Sequence, residues 1–205
     1  MDNQKTNKAN KNFFWILLSC LLVFISIILI INTFIFSSVV IKQSSMNPTL
    51  YDGDVVLLYK TTTVNRGDVV VIDGEKDNED WIIKRVIAIG GDKVMIYNGR
   101  VYLQTPTDDD FVALKEEYLD AYYTYYPNPT DPNDNKKHIL EIPEGEIFYL
   151  GDNRMASYDS RTNFGVLDST FGTCNSDQVV GFVPNWSISI KGVFKFFYSI
   201  KKIFI

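Results

Sequence analysis

The catalytic options of this chain are set by what it lacks. Its 205 residues include one histidine and two cysteines. A nucleophile aided by imidazole would depend on His138, which sits between Lys137 and Ile139 in a polar stretch that reads as surface. The same scarcity leaves no His/Cys metal set and no disulfide framework, so neither a metal nor a cofactor is expected. The arrangement that activates a serine without imidazole is a Ser-Lys pair. Two residues have the right type and setting. Ser45 lies in Gln43-Ser44-Ser45-Met46-Asn47-Pro48-Thr49-Leu50, where Pro48 removes a backbone donor and restricts Asn47, so the chain leaves a strand sharply at the hydroxyl. Lys84 lies in Trp81-Ile82-Ile83-Lys84-Arg85-Val86-Ile87-Ala88-Ile89, and strand alternation puts it on the face of Ile82, Val86 and Ala88. An ammonium is disfavoured there, and burial can lower a lysine pKa by up to about 3–5 units. Such a lysine either snorkels to water or is held neutral as a base.

These residues need a scaffold, and the runs around them read as short strands. Val55–Tyr59, Val69–Ile72, Trp81–Ile89, Ile147–Leu150 and Val179–Val183 are bounded by turn residues, and 94–103 forms a hairpin about Asn98-Gly99. The expected fold is mostly β, an antiparallel sheet domain over 39–185, preceded by one N-terminal transmembrane helix. Residues 104–138 stand apart, with eight acids, three lysines and tyrosines at 118, 122, 123, 125 and 126. They read as a solvated insertion between core strands. Asp131-Pro132-Asn133-Asp134-Asn135 lacks the glycine and glutamate of a calcium loop.

Phe13 to Phe36 contains no charged residue, long enough to span a bilayer core as a helix. We read 13–38 as a retained anchor, because the apolar run exceeds that of a cleavable signal and no small-x-small site follows it. Residues 1–12 precede it. The first 40 residues sum to +2 and the last 20 to +4, so a total of −5 leaves −11 for the stretch between. Lysines before the span and an acidic body after it place the N-terminus in the cytoplasm and the body outside the plasma membrane, in a single pass. The acidic balance argues against nucleic-acid binding. The basic, aromatic tail, 186–205, reads either as a segment lying in the membrane interface or as a final strand with a frayed end.

A third segment joins the first two. Gly151-Asp152-Asn153-Arg154 through Ser157-Tyr158-Asp159-Ser160-Arg161 follows a strand and is dense in hydrogen-bonding groups. Taken in order, Ser45-Met46-x-Pro48-Thr49-Leu50, Gly53-Asp54 with Arg66-Gly67-Asp68, Lys84-Arg85-Val86-Ile87 with Gly91-Asp92, and this third segment resemble the motifs of type I signal peptidases. These are membrane-bound Ser-Lys peptidases that remove signal peptides, and the resemblance covers roughly 13–185.

The resemblance implies roles. Ser45 is the expected nucleophile, with its N–H serving an oxyanion hole, and Lys84 the general base. Ser157 is expected to orient the amine, and Asp159, Arg161, Arg85 and Asp152 to hold the site by ion pairs. Met46, Leu50 and Ile83 are expected to line apolar pockets for small side chains. Secretory preproteins with small residues at −1 and −3 are the implied substrates, with membrane lipid around the enzyme and the secretion machinery nearby. The sequence departs from the family pattern at Met155 and Ala156, where acidic and amide residues are usual. It also departs at Gln43, where some relatives carry a serine donor, and at Gly90, where proline is common. Two other readings remain. A self-cleaving Ser-Lys repressor would need a DNA-binding domain where the span lies. A noncatalytic assembly factor for pilin-like proteins would be expected to have lost Ser45 or Lys84.

Overall fold

The computed structural model describes residues 2–74, 81–119, 124, 138–161 and 172–203. The chain divides into two units, Met1–Ser37 and Ser38–Ile205.

The first unit is dominated by helix α1, Asp2–Phe34. Its stretch Phe13–Ile31 is long and apolar enough to cross a membrane. At 1.5 Å per residue those 19 residues span about 28 Å, close to the hydrocarbon thickness of a bilayer. The side chains from Phe13 to Leu17 are exposed. Ser19 and Ser26 donate to the carbonyls of Trp15 and Leu22, so neither hydroxyl needs water. The helix is longer at its start than the expected anchor and ends earlier. Strand β1, Phe36–Val40, takes the last residues assigned to the span.

The second unit is built on antiparallel strands. Its larger sheet runs β1, β2 (Val55–Tyr59), β11 (Val179–Val183), β3 (Val69–Ile72), β4 (Ile82–Ile89), β9 (Glu146–Leu150) and β10 (Cys174–Asn175). The smaller runs β7 (Val112–Ala113), β6 (Arg100–Gln104), β5 (Lys93–Tyr97) and β8 (His138–Glu141). Asn98 and Gly99, both at positive φ, make the two-residue turn that joins β5 to β6. Valine, isoleucine and leucine fill the space on either side of the larger sheet. Val56, Leu58, Val69, Val71 and Ile83 form one cluster, and Val70, Ile72, Val86 and Ile147 another.

β4 lies between β3 and β9 and is buried along nearly its whole length. In this register Val70 stands across from Lys84 and Val69 across from Arg85, so consecutive cations turn to opposite faces. Strict alternation fails one step later. A register shift against β9 between Val86 and Ala88 moves Ala88 into the cluster of Ile87, Phe148 and Leu150, away from Val86.

Two regions differ from the sequence expectation. The insertion contributes β7 to the smaller sheet and leads into β8, and its Glu116 and Thr124 are buried rather than solvated. Tyr122, Tyr123, Tyr125, Tyr126 and the Asp131 segment lie outside the described residues. Through residue 203 the C-terminal segment is helical, not a strand. It forms α2, Asn185–Ser189, and α3, Lys191–Ile203, both packed against β2.

Candidate active site

Three chain segments meet at the N-terminal half of β4. The first leaves β1 and turns at 44–50, where the Asn47 N–H donates to the Ser44 carbonyl and the Leu50 N–H to that of Met46. Gln43, at φ 69°, opens this turn, and its N–H donates to Asp52. That sharp entry tilts Met46 inward and leaves Ser45 half-buried at the rim. The second segment is β4 itself, carrying Lys84. Lys84 Nζ lies 3.0 Å from Ser45 Oγ, and Lys84 is only 5% exposed. An amine and a hydroxyl at this distance can exchange a proton directly.

The third segment, 151–161, braces the first. The Asn153 N–H donates to the Ser45 carbonyl at 2.9 Å, and its side-chain amide to the Ser44 carbonyl at 3.1 Å. Gly151 is required here. A β-carbon on it would come within 2.1 Å of Ser157 Oγ and 2.5 Å of the Ser45 carbonyl oxygen. Ser157 Oγ is itself buried and makes no hydrogen bond among the described residues. The structure thus brings Ser157 against the Ser45 loop, but no bond from it to Lys84 is present.

The four expected ion-pairing residues form two pairs. Arg85 donates from Nε and Nη2 to the two carboxylate oxygens of Asp152, at 2.8 and 2.6 Å, and from Nη1 to the Gly67 carbonyl. Burial alone would lower the pKa of this guanidinium. The bonds and charge of Asp152 outweigh burial, and the net displacement is upward. Thr49 Oγ1 donates to Asp152 at 2.5 Å, tying the turn that carries Ser45 to the pair. Arg161 donates to both oxygens of Asp159 at 2.8 Å, and Asp159 also accepts the Gly151 N–H.

A further buried pair was not foreseen. Arg154 donates to Glu116, and to Thr124 at 2.5 Å. The Tyr118 ring lies 3.8 Å beneath the Arg85 guanidinium, and Tyr118 donates to Glu116. Burial, then the charge of Glu116, raises the Tyr118 phenol's pKa. The insertion is therefore clamped to the motif segments through Arg85 and Arg154. The sequence signal was faint, a glutamate and a tyrosine within an acidic, aromatic run.

Ser45 and Lys84 open on a cavity of about 750 Å³. Val39, Val40, Ile41 and Gln43 form one wall, Trp81, Ile82 and Ile83 another, and Ala156 and Tyr158 a third. Ile83 lines it. Met46 and Leu50 do not. Both are 0% exposed and belong to the core cluster under β2 and β3, because the turn that presents Ser45 points its neighbour inward. Among the described residues no three His, Cys, Asp or Glu side chains gather as a metal site.

A family model described as signal peptidase, peptidase S26, matches residues 14–186, which include every site residue named above. Over 162 residues the chain is 38% identical to signal peptidase IB of Staphylococcus aureus (strain Mu50 / ATCC 700699), covering 76% of this chain and 79% of that one. Over 172 residues it is 30% identical to signal peptidase I of Bacillus licheniformis, covering 82% and 87%. A crystal structure of a signal peptidase I from Enterococcus faecalis V583 aligns with a TM-score of 0.40 and 24% identity, over 60% of this chain and 97% of that one. With most of its length matched, motifs included, the chain belongs to the signal peptidase family, peptidase S26.

Proposed function

We propose that this protein is a membrane-anchored serine endopeptidase that removes signal peptides from exported preproteins, with Ser45 as nucleophile and Lys84 as general base. The observation that carries the reading is the 3.0 Å approach of a buried lysine amine to a serine hydroxyl at the mouth of a cavity. With the amine neutral, the hydroxyl donates to Nζ. Ser45 Oγ attacks the scissile carbonyl as its proton passes to Lys84, and the developing oxyanion is met by the Ser45 N–H. The ammonium then protonates the leaving amine, and the new peptide N-terminus departs. A water, activated by the neutral amine, cleaves the ester and restores Ser45. Ser157, whose buried hydroxyl makes no hydrogen bond among the described residues, is the group we assign to steadying the amine as it gains and loses the proton.

The substrate lies extended in the cavity between the β1 wall and residues 81–83, held by main-chain hydrogen bonds. Ile41, Ile83 and Tyr158 limit the side chains beside the scissile bond, which favours small residues at −1 and −3. Lys5, Lys8 and Lys11 before the apolar stretch of α1 support a cytoplasmic N-terminus and an extracytoplasmic catalytic unit.

The test is cleavage of a preprotein by purified protein in detergent. Wild type is expected to cut after a small residue. Ser45→Ala is expected to abolish cutting, and Lys84→Ala to lower it roughly 10²–10⁴-fold or more. Undiminished cutting by Lys84→Ala would remove the proposed base.

A further inference from the structure

Helix α3 is amphipathic in the reverse sense for a surface helix in water. A helix packed on a soluble domain normally turns its apolar stripe inward and its charges out. Here the lysine side faces the protein. Lys191 Nζ lies 2.8 Å from Asp54 Oδ2 and donates to the Thr49 carbonyl at 2.8 Å. Lys195, one turn on, lies 3.9 Å from the other Asp54 oxygen. Val193, Phe196 and Phe197, spaced three and four apart on the other side, are 49%, 63% and 63% exposed. Trp186 and Ile190 of the preceding turn extend this exposed apolar surface.

We infer that α3 is an interfacial membrane helix, lying flat in an anionic phospholipid surface with Val193, Phe196 and Phe197 in the headgroup–acyl boundary. The inference rests on the reading that the catalytic unit works at a membrane. Two observations choose lipid as the occupant. Residues 186–205 hold four lysines and no acid, and Asp54 neutralises only one of those charges, so the segment stays net positive and complements anionic headgroups, whereas a second copy would bring the same positive charge to the same place. The chain also carries a helix long and apolar enough to cross the bilayer, so the lipid surface is continually at hand. An apolar face on a basic helix is held by both attractions, at a depth of roughly 5–10 Å.

The test uses the full chain with Cys20→Ser and Cys174→Ser, reconstituted in vesicles of phosphatidylcholine and phosphatidylglycerol. An environment-sensitive fluorophore is placed by Phe197→Cys, by Val193→Cys on the same face, or by Ser199→Cys, off that face toward Lys195. Labels at 197 and 193 are expected to shift to the blue and to be quenched by lipids brominated near the headgroup. The label at 199 is expected to stay water-like, and the contrast to weaken in phosphatidylcholine alone. Absence of lipid quenching at both 197 and 193 overturns the proposal, whether emission is water-like, as for a helix in solution, or blue-shifted, as against another protein surface. Preprotein cleavage in detergent by the same labelled proteins reports folding. Failure of the unlabelled wild type to cleave would sink the peptidase reading and leave the quenching result to judge α3 separately.

Discussion

Lys84 and Arg85 are neighbours on β4, 5% and 6% exposed, and they face opposite sides of one sheet. On one side the amine meets a serine hydroxyl and a cavity. On the other the guanidinium is gripped by both oxygens of Asp152 and stacked on Tyr118. Burial disfavours the charged form of either. A buried carboxylate offsets that cost for Arg85, and its pKa rises. Lys84 instead brings its amine within 3.0 Å of the Ser45 hydroxyl, so equal burial leaves the two residues with different work. One cation is fixed so that its segment is fixed; the other is placed where a proton can move.

Matched substitutions break this comparison most directly. Lys84→Met keeps the length of the side chain and removes the amine, and is expected to lower cleavage roughly 10²–10⁴-fold. Its thermal midpoint should stay level or rise, since an apolar side chain replaces a buried amine. Arg85→Met strands the Asp152 carboxylate inside the protein and is expected to cost about 3–5 kcal/mol of stability. For a unit of this size that is a fall in thermal midpoint on the order of 10 °C. Calorimetry and a cleavage assay on the same samples separate the two. Equal loss of stability in both variants would refute the division of labour.

Ser157 sharpens the contrast at smaller scale. A buried hydroxyl with no partner among the described residues gives the folded state nothing, so Ser157→Ala is expected to leave stability unchanged or slightly higher. Cleavage should nevertheless fall, by less than for Lys84→Met, with the loss in kcat rather than KM. A destabilised Ser157→Ala with normal kcat would mean that the hydroxyl serves packing alone.

How far the sequence discloses this arrangement depends on the range of the interaction. Asn98-Gly99 and the valine-rich runs encode turn and strand locally, and the structure has both. The nearness of Ser45 and Lys84, 39 residues apart, was legible only because three motifs stood in a familiar order. Glu116 with Arg154 had no such guide. A buried ion pair and a solvated one have the same composition, and an acidic insertion reads as surface until its partner is in place. The register shift after Val86 is likewise set by β9, which alternation along β4 cannot register. Helix α3 was hidden for another reason. Its Val, Phe, Tyr and Ile are at home in strands, and part of what docks it on the domain is its ion pair with Asp54, far away in sequence.

That last contact supplies a third cation and the smallest expected effect. Lys191 is paired like Arg85 but partly open to solvent. Burial alone would raise the Asp54 carboxyl's pKa. The hydrogen bond from Lys191, the Tyr51 N–H and the charges of Lys191 and Lys195 outweigh it and hold the carboxyl below its ordinary value of 3.8. A carboxylate with a depressed folded pKa contributes stability that is present above the unfolded value and lost as pH falls through the folded one. Asp54→Asn should therefore be less stable than wild type at neutral pH, by at most about 1 kcal/mol given the solvent around the lysines. The gap should close as pH drops below about 3.8, because wild type then carries a neutral group too. Denaturant midpoints of both proteins across that range would show it. A gap that persisted in acid would assign the effect of the substitution to packing, and α3 would owe its docking to something other than this ion pair.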